Sequence, residues 1–167
     1  EINNAIAALP ASGGEIVILD GTYNITASIN ISKDNVSIRG NGNATVLKRM
    51  WNSSSPDGVI TLNSVKNCRV ENLQIDGNKA IYTASYNNSI YLHSSTNNTV
   101  TGNTCNNNGN NGIYLYSSSN NNTITGNTCN NNGNSGICLF TSSNNTITSN
   151  TCNNNNSDGI LLYSSSN

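Results

Sequence analysis

The 167-residue chain has little charge, few aromatic rings and almost no proline. Charged residues make up 9% of it and aromatic residues 5%, and it contains two Pro, one Met and one Trp. No basic run is present to hold phosphates and no apolar run is long enough to span a bilayer, which argues against nucleic-acid binding and against a membrane span. A chain of this length and composition is expected to form one domain.

Charged side chains are missing altogether from one long segment. Between Ile81 and Ser157 there is no Asp, Glu, Lys or Arg, and His93 is the only histidine of the chain. Carboxylate acid/base catalysis cannot be built from that half alone. Because His93 has no second histidine and no ligand spacing around it, we expect no metal site and no resident cofactor.

The five cysteines do not make a closed disulfide framework, because their number is odd. Cys105, Cys129 and Cys152 fall in one column of the repeat described next, which predicts packed free thiols. The ten Asn-X-Ser/Thr sequons favour an extracellular or cell-surface protein only weakly in a chain so rich in these residues.

The sequence is rich in asparagine, and the asparagines belong to an internal repeat. NNTVTGNTC begins at Asn97, NNTITGNTC at Asn121 and NNTITSNTC at Asn144. Each unit has two short stretches of period-two alternation separated by Asn, Gly and Ser clusters, which is typical of strands and turns. A unit of this size cannot close a core alone and must stack on its copies. We therefore predict an all-β fold, a parallel β-solenoid, which is a parallel β-helix.

The repeat can be followed back towards the N-terminus with longer spacings. One apolar row is predicted to run through Leu162, Leu139, Leu115, Leu92, Leu62 and Ile31, and a second through Ile147, Ile124, Val100, Val70 and Ile38. These rows predict about six coils. Ile2, Ile6 and Leu9 share one helical face, which predicts a short N-terminal helix that caps the first coil.

We interpret the chain as a single β-helix domain with three zones. Residues 1–28 supply the helix cap and first strand, 29–96 form longer irregular coils, and 97–167 form regular repeats of 23–24 residues. Because the pattern predicts a further strand after the last residue, we expect either a longer repeat protein or another chain stacked on the final coil as in a fibre.

Residues 5–42, AIAALPASGGEIVILDGTYNITASINISKDNVSIRGNG, resemble the entry of pectate-lyase-superfamily right-handed β-helices. VENLQIDGN and the NNTITGN units resemble the NosD-like, carbohydrate-associated repeats of that superfamily. The resemblance implies the fold but not one activity, since the fold hosts lyases, hydrolases, epimerases, tailspikes, adhesins and surface-layer proteins. NosD proteins are linked to copper-site maturation, but this chain has no His, Met or Cys cluster suited to copper.

Candidate catalytic residues lie before the uncharged segment: Arg39, Arg69, Glu71, Asp76 and Lys79. The predicted register aligns Arg39 with Glu71, so these side chains could bind an acidic sugar, as arginines and calcium-binding carboxylates do in pectate lyases. Calcium is expected only in that lyase-like case, for which Glu71 lacks an acidic neighbour unless Asp57 or Asp76 approaches through loops. A surface ion pair between adjacent coils is the favoured interpretation of Arg39, Arg69 and Glu71.

Candidate ligand-binding residues are mostly aromatic. Outward positions form one row of Tyr91, Tyr114, Cys138 and Leu161 and a second row of His93, Tyr116, Phe140 and Tyr163. Two long connections add Trp51, Tyr82 and Tyr86. The rows could bind glycan rings or another protein, or they could be covered by flanking loops. Trp51 could stack on a sugar or seal a local apolar cluster.

We predict a non-catalytic extracellular or cell-surface scaffold, an adhesin-like module that recognises a polysaccharide or surface glycan or assembles end to end. The alternative is a polysaccharide lyase, epimerase or hydrolase of the same superfamily. A third hypothesis rests on the outward pairs Thr99/Thr101, Thr123/Thr125 and Thr146/Thr148, which are also found on ice-binding solenoids.

Overall fold

The computed structural model describes residues 1–166, which form one short helix and fourteen strands. The helix α1 spans Ile2–Ala8. The strands are β1 Gly14–Val17, β2 Gly21–Ile25, β3 Ile29–Ile31, β4 Val36–Arg49, β5 Asp57–Asn63, β6 Arg69–Asp76, β7 Asn87–His93, β8 Thr99–Thr101, β9 Thr104–Asn106, β10 Ile113–Tyr116, β11 Thr123–Thr125, β12 Ile137–Phe140, β13 Thr146–Thr148 and β14 Ile160–Tyr163.

The strands pair in parallel to form two long sheets. Sheet 1 has the order β1-β4-β6-β8-β11-β13, with β2 also paired to β4 and β9 to β6. Sheet 2 has the order β3-β5-β7-β10-β12-β14. Since each turn of the chain adds one strand to sheet 2, the chain makes six coils, and the prediction of a parallel β-helix is confirmed.

The register confirms both predicted apolar rows. In sheet 2, Leu92 pairs with Leu115 and Leu115 with Leu139. In sheet 1, Ile38 pairs with Val70 and Val70 with Val100. All six of these residues are fully buried. Stacking buries side chains that no single coil could cover, so neighbouring coils supply each other's core.

The corners of the coils explain much of the asparagine content. Asn97, Asn121 and Asn144 occupy equivalent corners with φ of 56–58°. This left-handed region is costly for most L-residues but is tolerated by Asn, whose short side chain bonds locally. Gly102 and Gly126, with φ of 65° and 64°, take another corner of the same coils. The sharp turns therefore need these residue types.

The asparagine after each such corner points inward and bonds to its counterpart one coil away. Asn98 Nδ2 donates to Asn122 Oδ1 at 3.1 Å, and the backbone N–H of Asn98 donates to the same oxygen at 2.8 Å. Asn103 and Asn127 repeat the pattern at the next corner, at 3.1 Å between side chains. Hydrogen bonding removes the cost of burying these amides.

The helix α1 covers the first coil, as predicted. Ile6 is buried, and Ile2 and Leu9 pack against the core from the same side. Asn3 fixes the helix to the first strand of sheet 2, because its Oδ1 accepts from the Asn30 N–H at 2.8 Å.

Candidate functional site

The outer face of sheet 2 carries a continuous aromatic row. We define the aromatic ridge as His93, Tyr116, Phe140 and Tyr163, which pair in register on four successive strands. The ring centroids are 5.7, 5.6 and 4.7 Å apart along the ridge. The strand spacing of about 4.8 Å brings these rings together, so the ridge follows directly from repetition.

The second predicted row is less accessible than an outward position suggests. Tyr91 is only 7% exposed and Cys138 4%. Burial, reinforced by the nearby Tyr116, raises the pKa of Tyr91 to about 12. The loops carrying Pro56 and Tyr86 lie beside this row. The low exposure of Tyr91 favours the alternative in which stacked rings and flanking loops cover this row, since its ring stacks on Tyr114 and these loops lie beside it.

Two hollows lie along this face and share Pro56. The first, of about 340 Å³, is lined by Ser28, Asn30, Pro56, Asp57, Thr61, Asn63, Tyr91 and His93. The second, of about 280 Å³, is lined by Pro56, Ser85, Tyr86, Asn110, Asn111, Tyr114, Asn134, Cys138, Phe140, Leu161 and Tyr163. We call the two hollows together the furrow. It brings Tyr86 from a long connection together with Tyr114, Phe140 and Tyr163 of the strands.

One wall of the furrow depends on Arg49, which is fully buried. Arg49 Nη2 donates to Asp57 Oδ1 at 3.0 Å and to the Asn88 carbonyl at 2.8 Å, while its Nε is buried without a partner. Burial lowers the pKa of Arg49, and the adjacent Asp57 carboxylate opposes that shift. Arg49 is not among the residues predicted from the sequence. Its position two residues after the buried Leu47 in β4 was the available signal, because alternation points both inward.

Trp51 completes this cluster. The Arg49 guanidinium lies 3.9 Å from the centroid of the Trp51 ring, and Trp51 Nε1 donates to Asp57 Oδ2 at 3.1 Å. Arg49 therefore occupies one face of the Trp51 ring. These contacts are those of a residue that seals a local cluster.

Asn87 ties the two long connections together. Its Oδ1 accepts from the Ser53 N–H at 3.0 Å, and its Nδ2 donates to Asn52 Oδ1 and to the Tyr82 carbonyl, each at 3.1 Å. Asn87 is fully buried, so these bonds hold both loops against the start of β7. The candidate residue Tyr82 is thus placed as part of the loop scaffold.

The charged candidates of sheet 1 form ion pairs. The predicted alignment of Arg39 with Glu71 is confirmed by the register. However, Arg39 Nε contacts Glu15 Oε1 of the preceding coil at 2.9 Å, and Arg69 pairs with Glu71 on its own strand at 2.5 Å. The hydrogen bond to Glu15 and its charge raise the pKa of Arg39.

Asp76 and Lys79 line a separate hollow of about 560 Å³ together with Asn78, Ala80 and Asn107. Asp76 Oδ1 accepts from the Asn78 N–H at 3.0 Å and from Asn107 Nδ2 at 3.3 Å. Asp76 ends β6 of sheet 1, whereas Asp57 begins β5 of sheet 2 and binds Arg49. Within residues 1–166, Asp57 and Asp76 form no metal-binding group with Glu71.

The outer face of sheet 1 carries threonine where sheet 2 carries aromatic rings. Thr99, Thr123 and Thr146 pair in register, as do Thr101, Thr125 and Thr148. A third column of Thr104, Thr128 and Thr151, linked by isolated bridges, extends the array. We call these nine residues the threonine array.

The cysteines have free thiols. Cys105 and Cys129 are fully buried, and hydrogen bonding from its two neighbours, Cys105 and Cys152, is the main reason that the pKa of Cys129 is raised. The hydrogen bond with Cys129 lowers the pKa of Cys152. Within residues 1–166, no group of three or more His, Cys, Asp or Glu side chains is placed to hold a metal ion.

Residues 11–167 match the family described as periplasmic copper-binding protein (NosD). No curated protein matches the chain. Across the part of the chain that the structure describes, no helix has both the length and the apolarity needed to cross a membrane.

Solved structures with the same fold include several proteins described as carbohydrate-active. An alginate lyase from Paenibacillus sp. matches with a TM-score of 0.72 and 16% identity over 98% of this chain and 62% of its own. A putative glycosyl hydrolase from Parabacteroides merdae matches with 0.70 and 16% over 97% and 85%. An iota-carrageenase complexed to iota-carrageenan fragments matches with 0.68 and 22% over 87% and 35%. The chain thus spans about a third to five sixths of these proteins.

Proposed function

The chain belongs to the NosD family, and from that premise we propose that it is a β-helix module that binds a glycan chain along the furrow of sheet 2 without cleaving it. The observation that carries the proposal is the aromatic ridge beside a furrow lined with amide and hydroxyl groups. The structural neighbours that act on alginate or bind carrageenan fragments support a carbohydrate ligand.

The geometry of the ridge determines how a glycan is bound. Neighbouring rings face one another across the coils with interplanar angles of 10–39°. Their faces are therefore largely taken up by each other, and their edges point outward. A glycan lies alongside the ridge, with its C–H groups against Tyr114 and Phe140 and its hydroxyl groups towards Asn110 and Asn134.

The carboxylates that line the furrow argue against hydrolysis of the bound glycan. Glycoside hydrolysis uses a pair of carboxyl groups on either side of the scissile bond. Asp57 is the single acidic residue among those that line the two hollows. Its two oxygens accept from Arg49 and Trp51. His93 contacts Asn63 Oδ1 at 3.1 Å instead of an acid. Among residues 1–166, the furrow thus has no free carboxylate pair.

The copper implied by the family description does not fit the residues present. His93 contacts the Asn63 side chain, and the Met50 sulfur accepts a hydrogen bond from Asn78 Nδ2 at 3.9 Å. Neither side chain therefore has a second soft copper ligand as its partner in these contacts. The thiols of Cys105 and Cys129 are fully buried, and within residues 1–166 these two thiols and Cys152 form no group placed to hold a metal ion. We therefore assign copper no part in the proposed binding.

The proposed module acts outside the cytoplasm, where polysaccharides and surface glycans are found. The family's description as periplasmic supports that location. A rigid stack of coils presents the furrow as an extended platform, which suits a linear polymer better than a small molecule.

The test is a glycan array followed by calorimetry on the strongest ligand. Tyr114→Leu and Phe140→Ala, at two rings that line the second hollow, are expected to weaken binding about twofold to tenfold, in line with the value of about 0.5–1.5 kcal/mol for an aromatic pair. Thr125→Ala, on the outer face of sheet 1, is the matched control and should bind like the wild type. Lack of any glycan binding by the wild type, or equal binding by all variants, would refute the proposal. Release of new reducing ends or unsaturated sugars would favour the enzymatic alternative.

A further inference from the structure

The seven lysines and arginines lie outside the furrow. Arg39 and Arg69 are engaged on sheet 1 by Glu15 and Glu71. Lys33 Nζ donates to the backbone carbonyls of Ala7 and Leu9. The remaining cations are Lys48 on β4, Arg49 in its buried cluster, Lys66 before β6 and Lys79 in the separate hollow.

Arg49 approaches the furrow most closely, but its charge is not available to a ligand. The side chain is completely buried and contacts Asp57 at 3.0 Å. Its remaining hydrogen bonds go to Asn87 Oδ1 and to the Asn88 carbonyl. The pair is therefore already neutralised inside the protein.

Negative charge is instead present near the far end of the furrow. Asp158 precedes β14, and its carboxylate lies close enough to Cys138 to contribute, after burial, to raising the pKa of that thiol to about 11. Cys138 lines the second hollow. This charge would repel a carboxylate or sulfate group on a bound sugar. None of the residues that line the second hollow is a cation that could offset the repulsion.

Apart from Asp57, whose two carboxylate oxygens accept hydrogen bonds from Arg49 and Trp51, the polar groups that line the furrow are neutral donors and acceptors. They include the hydroxyls of Ser28 and Thr61 and the amides of Asn63, Asn110 and Asn134. Amides and hydroxyls match the donor and acceptor pattern of sugar hydroxyls. Anionic groups are normally held by Arg, Lys or clustered backbone N–H groups, and removing their water without such partners is costly.

From this distribution we infer that the furrow selects neutral glycans and discriminates against uronates and sulfated sugars. The inference rests on the proposed function and adds the class of ligand. It differs from what the alginate and carrageenan ligands of the structural neighbours suggest, because those polymers are anionic and no Lys or Arg lies among the residues that line the furrow.

The test uses pairs of polysaccharides with the same backbone and different charge. The probes are methyl-esterified and free galacturonan, desulfated and sulfated galactan, and glucan and carboxymethyl glucan, measured by affinity electrophoresis and calorimetry at pH 8. In each pair that binds, the neutral member is expected to bind at least ten times more tightly. Its Kd should be unchanged between 50 and 500 mM NaCl, since screening acts on charged contacts.

A variant with an added charge tests the same inference with whichever polysaccharide backbone the protein binds. Asn134→Lys adds a cation beside the furrow and is expected to raise affinity for the anionic member at least fivefold. Thr125→Lys adds the same charge on sheet 1 and should leave the preference unchanged. Tighter binding of the anionic member by the wild type, with affinity falling as salt rises, would overturn the inference and leave glycan binding intact. Binding of neither member of any pair would refute the proposed function itself, and this inference with it.

Discussion

The outer faces of sheet 1 and sheet 2 are built by the same coils but carry different chemistry. One coil places Tyr114 and Tyr116 on sheet 2 and, a few residues later, Thr123 and Thr125 on sheet 1. Both pairs alternate with buried core residues, Leu115 and Ile124. The buried inward residues therefore determine the shape of the coil, and the outward residues can be of different types on the two sheets. Because the coils repeat, each outward residue type recurs along the axis of the β-helix, which produces the aromatic ridge on sheet 2 and the threonine array on sheet 1.

The two faces differ as well in what surrounds them. Sheet 2 is flanked by the long connections that carry Pro56 and Tyr86, which make a furrow beside the ridge. The threonine array, by contrast, follows the short regular coils, whose corners are single residues such as Gly126. A recess of the kind that ligands occupy thus needs irregular coils next to regular ones, because repetition alone yields a flat surface.

The largest expected effect comes from removing the residue that holds the loops beside sheet 2. Arg49→Ala leaves Asp57 without its partner and empties a fully buried site, so the free energy of unfolding should fall by about 3–5 kcal/mol. Urea denaturation measures the loss. Fluorescence of Trp51, the only tryptophan, should shift to the red because the Arg49 side chain no longer covers its ring.

Arg69→Ala is the matched control on sheet 1. Its pair with Glu71 is exposed on the arginine side, at 49%, and such pairs contribute about 1 kcal/mol or less. The proposed role of Arg49 would be contradicted by similar losses of stability in the two variants, or by unchanged Trp51 emission in Arg49→Ala.

Most of the fold could be predicted from the sequence because the same apolar alternation recurs in every coil. The rows through Leu115 and Ile124 needed only period-two alternation and the offset between units, and the register agrees with them at every coil. The threonine columns also followed, although the third column through Thr128 was missed because it pairs through isolated bridges beyond the short strands.

The candidate site was harder to predict because it depends on contacts that occur once. Asn87 reaches Asn52, thirty-five residues earlier, and the exposure of Tyr91 is decided by loops whose path no repeat specifies. Arg39 found Glu15 instead of the aligned Glu71, since a long side chain can reach a diagonal neighbour as easily as the one directly opposite. Such choices depend on tertiary packing.

An intermediate effect is expected at high pH, because the sheet 2 face carries a buried phenol in its outward row. The pKa of Tyr91 is about 12 in the folded protein and about 10 when the chain is unfolded. Between these values the unfolded chain loses the phenol proton while the folded protein keeps it, so stability present below pH 10 is lost as the pH rises towards 12. In urea titrations across this window, Tyr91→Phe should show a shallower loss of stability than the wild type. Identical slopes would mean that Tyr91 is not protected by its surroundings.

The smallest effect is expected on the threonine array. Thr125 contacts Thr148 through their hydroxyls at 3.1 Å, and this contact lies on the solvent side of the sheet. Valine keeps the β-branched shape that suits a strand, so Thr125→Val should change the free energy of unfolding by less than about 0.5 kcal/mol. Glycan affinity should also stay at the wild-type value, because Thr125 lies on the other sheet from the furrow.

Thermal hysteresis of ice growth by the wild type, reduced in Thr125→Val, would instead give the threonine array a function of its own. The two faces would then be two binding surfaces built on one core.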